Sequence, residues 1–260
     1  MGDTVEIRAL AITRDGIEGP YSQVAAHVIG SDNAALPTPL DAGAVTVEGL
    51  PGHARTTVAV PDESVAAILI CRTRPGASPD IVDDALGAPR AVGSASTAYF
   101  VDGDATRTSL LADGTFDLSG DWTVGPGWTI SAGSAQQAPG DAGDLVQTLA
   151  LEAGETYRLA VTIAGIDAGE IVPQLAGDTV SAGAGIAALG RSAGTLMAPA
   201  TPTALILAAS ATFDGTIDDV LLYRETAACA PPGAWEYWLA PVYAEGIHGP
   251  LVGPFPAFID

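Results

Sequence analysis

The feature that most constrains this chain is a stretch near its N-terminus that recurs near its C-terminus. Residues 5–29 hold two β-rich runs around the turn Asp15–Pro20, and residues 235–259 repeat that arrangement around Glu245–Pro250. Two alternating apolar runs joined by a glycine-containing turn predict a β-hairpin. A lone hairpin cannot bury its apolar face, so each copy must complete a larger β-domain. Because only residues 1–4 precede the first copy, we expect another chain or a longer precursor to supply its missing strands.

The composition favours an all-β protein. Hydrophobic residues make up 48% of the chain and charged residues only 16%, while 31 glycines and 19 prolines punctuate it. Short apolar runs bounded by such turn residues every eight to twelve positions are typical of β-sandwiches. The run Val65–Cys71 is apolar throughout, which predicts a central strand buried on both faces.

The charge balance excludes several partners. A formal net charge of −21 would repel both a phosphate backbone and an anionic membrane surface, so we expect no nucleic acid and no membrane insertion. The longest apolar runs fall short of the roughly 18 residues of a membrane-spanning helix. The N-terminal residues lack the basic and apolar regions of a signal peptide, so action outside a cell would require release by lysis.

The order of these patterns predicts one module interrupted by another. Residues 1–30 form the first hairpin, and 31–43 form a proline-marked linker. Residues 44–109 and 225–260 form a split sandwich that ends in the second hairpin. Residues 110–224, with about eight short predicted strands, form a two-sheet jelly roll inserted between them. The two cysteines, Cys71 and Cys229, are expected to be buried thiols rather than a disulfide.

The repeated hairpin resembles the last two strands of a fibronectin type III domain. The residues that carry this resemblance are the aromatic-rich run Trp235–Tyr243 and the following Gly249-Pro250, with Gly19-Pro20 and Tyr21-Ser22 in the other copy. The resemblance implies a split fibronectin type III-like sandwich and, at the N-terminus, a hairpin that completes another sandwich.

The segment from Leu111 to Tyr223 resembles the carbohydrate-binding, galactose-binding-like jelly rolls of glycan-degrading enzymes and bacteriophage tail fibres. The matching residues are Asp113–Phe116, Trp122, Trp128, Leu151–Arg158 and Phe213–Val220, in the family's order. Fibronectin type III modules interleaved with such a jelly roll resemble tail-tip proteins of tailed bacteriophages and gene-transfer particles. The resemblance implies a location in the virion tail tip.

Two tryptophans are the candidate glycan-binding residues of the predicted jelly roll. Trp122 and Trp128 could each stack an indole ring on the C–H face of a sugar. The alternative is that both rings belong to the core. Trp128 begins an alternating Thr-Ile-Ser run, which favours the core, so Trp122 is the better surface candidate.

Four residues form a candidate calcium site. In the jelly rolls that the segment resembles, the first and last strands lie side by side, which would bring Asp113 and Gly114 near Asp218 and Asp219. Carboxylates and carbonyls that converge in this way suit Ca²⁺. The alternative is that these acidic residues cap the turn before the last strand.

No catalytic pattern emerges from the sequence. His27, His53 and His248 have no companion motif, and Asp83-Asp84 lies in an irregular acidic loop. No phosphate-binding loop or Cys/His metal cluster is present in the sequence. We therefore expect a non-enzymatic structural and adhesive component of a phage or phage-like tail. Its expected partners are other tail proteins, in an oligomeric assembly, and host surface polysaccharide. The alternative is an accessory module of an extracellular glycan-active enzyme or a bacterial adhesin.

Overall fold

The structure, a computed structural model, describes residues 39–260 except 94–95, 119, 141 and 244–245, together with four strands before residue 39. Two compact units divide the chain, Met1–Thr38 and Pro39–Asp260. The boundary between them falls inside the predicted linker. The regular secondary structure of the described residues is nearly all β-strand, with one short 3-10 helix at Ala42–Ala44, which confirms the all-β fold class.

The strands follow one another in this order: β1 (Thr4–Ile7), β2 (Leu10–Ile12), β3 (Glu18–Tyr21), β4 (Ala25–Val28), β5 (Val45–Leu50), β6 (His53–Ala59), β7 (Val65–Thr73), β8 (Arg90–Ala91), β9 (Thr97–Gly103), β10 (Thr123–Val124), β11 (Trp128–Ser131), β12 (Ser134–Gln137), β13 (Asp144–Thr148), β14 (Thr156–Ala168), β15 (Ile171–Ala176), β16 (Val180–Ala182), β17 (Gly190–Met197), β18 (Ala204–Ala209), β19 (Asp214–Arg224), β20 (Gly233–Tyr243) and β21 (Val252–Ile259).

The two copies of the sequence repeat pair their strands in the same register. In the first unit β1 pairs with β4 and β2 with β3, both antiparallel. The pairs Thr4–Val28 and Ile7–Ala25 recur as Ala234–Phe258 and Tyr237–Phe255. The pair Ile12–Glu18 recurs as the isolated bridge Val242–His248. The predicted hairpin repeat is thus confirmed in its backbone pairing.

A sandwich of two sheets, here called the flanking sandwich, is built from strands on both sides of the predicted insert. One sheet has the order β21-β20-β7-β8 and the other β5-β6-β9. The core between them includes the fully buried Val58, Ile68 and Tyr237. On the opposite face of the four-stranded sheet, Leu69 and Cys71 belong to a second buried cluster. Strand β7 is therefore central and buried on both faces, as its apolar run predicts.

The second sandwich, here called the inserted sandwich, lies between β9 and β20 in the chain. Its two five-stranded sheets have the orders β10-β13-β18-β15-β16 and β11-β12-β19-β14-β17. Its core is distinct from that of the flanking sandwich and includes Leu145, Leu207 and Phe213. Whether residues 110–224 fold as a separate domain stays a prediction.

The junction between the two sandwiches is held by hydrogen bonds from both connecting segments. The carbonyl oxygen of Gly52, in the β5–β6 turn, accepts from the N–H groups of Asp104 and Ala230, at 3.1 and 2.8 Å. Behind them, Tyr223 donates its hydroxyl hydrogen to the main-chain oxygen of Asp260, and burial raises the pKa of Tyr223 to about 12. A small apolar cluster, Ala160, Leu221 and Tyr223 with Cys229 against it, covers the same contact.

Candidate functional site: a polar cleft beside the sandwich junction

Trp122 does not lie at the surface, and the expectation that it does is wrong. Its side chain is only 4% exposed and packs on Phe116, with 5.3 Å between ring centroids. The indole Nε1 donates a 3.0 Å hydrogen bond to the carbonyl oxygen of Asp113. The ring is buried because its N–H finds an acceptor in the turn at Asp113 that covers this end of the core. It therefore presents no face on which a sugar could stack.

Trp128 is a core residue as well. It is 6% exposed, packs on Phe213, and donates from Nε1 to the carbonyl oxygen of Gly143 at 3.0 Å. Like the two tryptophans, every other aromatic residue between 110 and 224 is buried. All six are buried: Phe116, Trp122, Trp128, Tyr157, Phe213 and Tyr223. Among the described residues, no aromatic side chain between 110 and 224 is therefore exposed enough to stack on a ligand.

The candidate calcium residues do lie near one another. The N–H of Val220, next to Asp219, donates to the carbonyl oxygen of Gly114 at 2.8 Å. The approach is so close that a Cβ at Gly114 would overlap the carbonyl oxygen of Val220. The expected neighbourhood of the first turn and the last strand is thus present, and it requires glycine at position 114.

The carboxylates of Asp113 and Asp218, however, already accept hydrogen bonds. The Asp113 carboxylate accepts from the N–H groups of Asp117 and Leu118, each at 2.8 Å, and Asp218 accepts from the N–H of Asp219 at 2.6 Å. In the described part of the chain, no group of three or more His, Cys, Asp or Glu side chains could hold a metal ion. This donor set fits Ca²⁺ poorly, because that ion takes six to eight oxygens.

Calcium at these four residues stays a prediction with a simple test. An ion bound only to the folded chain would raise its melting temperature in CaCl₂ relative to EDTA. The same comparison in the variant Asp218→Asn would show whether that carboxylate takes part.

Burial raises the pKa of Asp218, and the neighbouring carboxylates of Asp219 and Asp117 raise it further. The opposing influences are the N–H of Asp219 and the positive charge of Arg191. Negative charge is therefore crowded at this end of β19, and one guanidinium partly offsets it.

That guanidinium borders the cleft that we identify as the candidate site. The cleft has a volume of about 470 Å³ and lies where the first turn of the inserted sandwich meets β14, β17, β19 and the end of β21. Hydroxyls, carboxylates, one guanidinium and aliphatic carbons line it. The residues used below are Thr115, Thr162, Arg191, Asp219, Val220 and Asp260.

Arg191 is fixed by three partners from three elements. Its Nε donates to the Asp260 carboxylate at 2.7 Å. Its Nη1 donates to the Thr162 hydroxyl at 3.2 Å and to the carbonyl oxygen of Asp219. These contacts join β17 to β14, β19 and the flanking sandwich, so the planar guanidinium has one orientation.

Of the sequence candidates, the cleft contains Gly114 and Asp219, whereas Trp122 and Trp128 lie in the core. Sequence reasoning missed Arg191, Thr162 and Asp260, because they are far apart in the chain and only the fold brings them together. One signal was available. The sequence has 10 arginines and no lysine, and arginine is the cationic side chain suited to directed hydrogen bonds.

A scan of the sequence against protein-family models found no match, and neither did a search of curated proteins. Solved structures do match. A mutant of a family 29 carbohydrate-binding module is 16% identical at a TM-score of 0.36, covering 47% of this chain and 93% of that one.

Two further matches are carbohydrate-binding modules as well. Another family 29 module is 12% identical at a TM-score of 0.35, covering 45% of this chain and 87% of that one. A family 16 module is 14% identical at 0.30, covering 44% and 98%. At these identities and TM-scores the likenesses assign no function to this chain.

In the described residues, no helix has the length and apolarity needed to cross a membrane. Cys71 and Cys229 are free thiols, as expected, although Cys229 is only partly buried. Burial, followed by the nearby charges of Asp84 and Asp80, raises the pKa of Cys71.

Proposed function

We propose that this chain is a non-enzymatic structural and adhesive component of a phage or phage-like tail tip. The N-terminal hairpin docks into a neighbouring tail protein, the flanking fibronectin type III-like sandwich acts as a spacer, and the inserted sandwich contacts host polysaccharide. The observation that carries the proposal is the shared register of the two hairpins.

The second hairpin is part of a larger sheet. Strand β20 pairs with β21 on one side and with β7 along the other, from Glu236–Thr73 to Tyr243–Val65. Among the described residues, β1 to β4 form only two-stranded sheets. Because the two hairpins share a register, β1 corresponds to β20. We infer that the first hairpin accepts a strand of a partner beside β1, in the place that β7 takes beside β20. A two-stranded sheet is marginal in water, which favours such a partner.

The flanking sandwich supports a spacer role. Its seven strands form sheets of four and three, and this layout supports the fibronectin type III resemblance of the hairpin. One ion pair and one hydrogen bond join its two sheets, because Arg72 and the hydroxyl of Tyr237 both donate to the Asp102 carboxylate, at 2.5 and 2.7 Å. The insert leaves from one end of this sandwich, which suits the display of an adhesive module.

The test compares the full chain with a variant that lacks residues 1–30. Light scattering should show the full chain in a stoichiometric complex with one of the candidate tail proteins. The deletion variant should stay folded, because Pro39–Asp260 is a compact unit with its own cores, but should lose the complex. A complex that survives the deletion contradicts docking by the hairpin. A chain that stays monomeric with every tail protein yet binds polysaccharide would favour an accessory module of an enzyme or adhesin.

A further inference from the structure

We propose that the cleft at Arg191 is a saccharide subsite that recognises two neighbouring hydroxyl groups, one through the Nη2 group of Arg191 and one through the Asp219 carboxylate. This inference rests on the proposed adhesive function and specifies its site and ligand chemistry. The volume of the cleft, about 470 Å³, lies within the range of roughly 300–1,000 Å³ of small-molecule sites.

Arg191 supplies a hydrogen-bond donor that is already in place. Its Nε and Nη1 groups are engaged by Asp260, Thr162 and the carbonyl oxygen of Asp219. Among the described residues, its Nη2 group makes no hydrogen bond, and because Arg191 lines the cleft, we assign these two N–H donors to the ligand. Because the protein itself holds the guanidinium, a ligand need not order this side chain when it binds.

Asp219 supplies the matching acceptor. Its backbone is held at φ 48°, and its carbonyl oxygen is bonded to Arg191. Its carboxylate is exposed and accepts no hydrogen bond from the described residues. A fixed donor beside a carboxylate on a fixed stretch of backbone suits a sugar diol, since one hydroxyl can accept from arginine while its neighbour donates to the carboxylate.

The other groups of the cleft also suit a sugar. The hydroxyls of Thr115 and Thr162 can exchange hydrogen bonds with further hydroxyls. The partly exposed side chain of Leu111 offers an aliphatic surface for the C–H groups of a ring. No aromatic side chain lines the cleft among the described residues, so the affinity of one site should be weak, with a Kd on the order of 1 mM.

The charges at the cleft favour a neutral ligand over an ion. Arg191 is already paired with the Asp260 carboxylate, Asp219 lies beside it, and the chain carries a net charge of −21, which disfavours anions. A metal ion is disfavoured too, since the guanidinium lies among these carboxylates and no cluster of three ligating side chains forms in the described residues. A neutral polyol can accept hydrogen bonds from the guanidinium and donate hydrogen bonds to the carboxylates.

The test is a titration of the full isotope-labelled chain, followed by amide NMR. The probes are methyl α-mannoside, methyl β-galactoside, cellohexaose and mannohexaose. We expect at least one probe to shift the amides of Thr115, Thr162, Arg191 and Asp219 together. Shifts confined to other surfaces, or no shift with any probe, would overturn the proposal.

The decisive variant is Asp219→Asn, because asparagine tolerates positive φ nearly as well as aspartate and keeps the side-chain shape. Loss of the charged acceptor should weaken binding about tenfold. Asp167→Asn, the same change at an exposed position of β14 outside the cleft, is the matched control and should bind like the wild type. Equal affinity of the wild type and Asp219→Asn would contradict the proposed role of this carboxylate.

The same experiment separates this inference from the proposed function. If the wild type binds a probe at another surface, the adhesive function stands and the cleft assignment fails. If the wild type binds none of the probes and also does not adhere to host polysaccharide, both fail. Complex formation with tail proteins should be unchanged in Asp219→Asn, because that contact belongs to residues 1–30.

Discussion

At the scale of single residues, burial decides what Trp122 does. Its ring packs on Phe116 and its N–H bonds Asp113 within the core of the inserted sandwich. Trp122→Ala should therefore lower the free energy of unfolding by about 3–5 kcal/mol, as for other large aromatic residues truncated in cores. Guanidinium unfolding followed by circular dichroism measures the loss.

A matched variant separates packing from the hydrogen bond. Trp122→Phe keeps an aromatic ring beside Phe116 but removes the indole N–H, so it should cost clearly less than the alanine change. An alanine variant as stable as the wild type would mean that the ring is not part of the core.

Asp218 has a stability effect that depends on pH. Burial, followed by the charges of Asp219 and Asp117, raises its pKa in the folded state above the ordinary value of an aspartate. The folded chain therefore binds this proton more tightly than the unfolded chain does. The stabilisation is full below the ordinary pKa and is lost as pH rises through the raised one. At neutral pH, the ionised carboxylate is a cost.

Asp218→Asn should consequently raise the melting temperature at pH 7, by about 1–2 °C for a chain of this size. The amide oxygen can still accept from the N–H of Asp219. The gain should shrink as pH falls below 3.8, because the wild-type carboxyl then becomes protonated in both the folded and the unfolded chain. Melting curves across this range check the trend, with Asp167→Asn as the control. A gain that is independent of pH would point to a different cause.

At the scale of elements, an ion pair ties β14 to the segment that leaves β19. Arg158 donates from Nη2 to the Glu225 carboxylate, and the exposed fractions of the two side chains are 7% and 25%. The Nε of Arg158 is buried without a hydrogen-bond partner among the described residues. Such a pair adds little net stability, but its disruption leaves an uncompensated buried charge.

Glu225→Ala should therefore cost about 3 kcal/mol. The double variant Arg158→Met/Glu225→Ala should recover much of that loss, because the methionine buries no charge. Urea unfolding of both single variants and the double variant forms a thermodynamic cycle. Equal losses in Glu225→Ala and in the double variant would show that the charge of Arg158 is not the reason.

At the scale of the whole molecule, the two cores are separate but the sandwiches share a junction. The segments that enter and leave the insert lie together, since Thr226 donates to the Asp104 carboxylate at 3.3 Å. Replacement of residues 110–224 by a short Gly/Ser loop should thus leave the flanking sandwich folded, because loop closure there costs little.

We expect one cooperative unfolding transition for this variant at a lower melting temperature than that of the full chain. The reason is the lost contact of Asp260 with Arg191 and Tyr223. Calorimetry of the excised chain, with the full-length Tyr223→Phe variant for comparison, measures the effect. A broad transition without cooperativity would show that the two sandwiches depend on a shared core.

Much of the β-structure could be predicted from the sequence, because strand formation follows from local alternation and turn residues. The repeat correctly predicts both hairpins, and the wholly apolar run at Val65–Cys71 correctly predicts a strand buried on both faces. The period of two also places Tyr237 and Trp238 on opposite faces of β20, as the two separate clusters show. Short strands such as β8, β10 and β16 could not be predicted in this way, because two or three residues carry no period.

The site was decided by the tertiary structure. Local pattern could not tell whether Trp122 faces solvent, because that depends on the turn that folds over its ring and accepts its N–H. Nor could it join Arg191 to Asp260, which lies 69 positions further along the chain. A cleft arises where two sandwiches meet, and their meeting depends on contacts between residues distant in sequence. The sequence alone therefore determined the strands and their faces, whereas the groups that meet at the cleft were selected by packing.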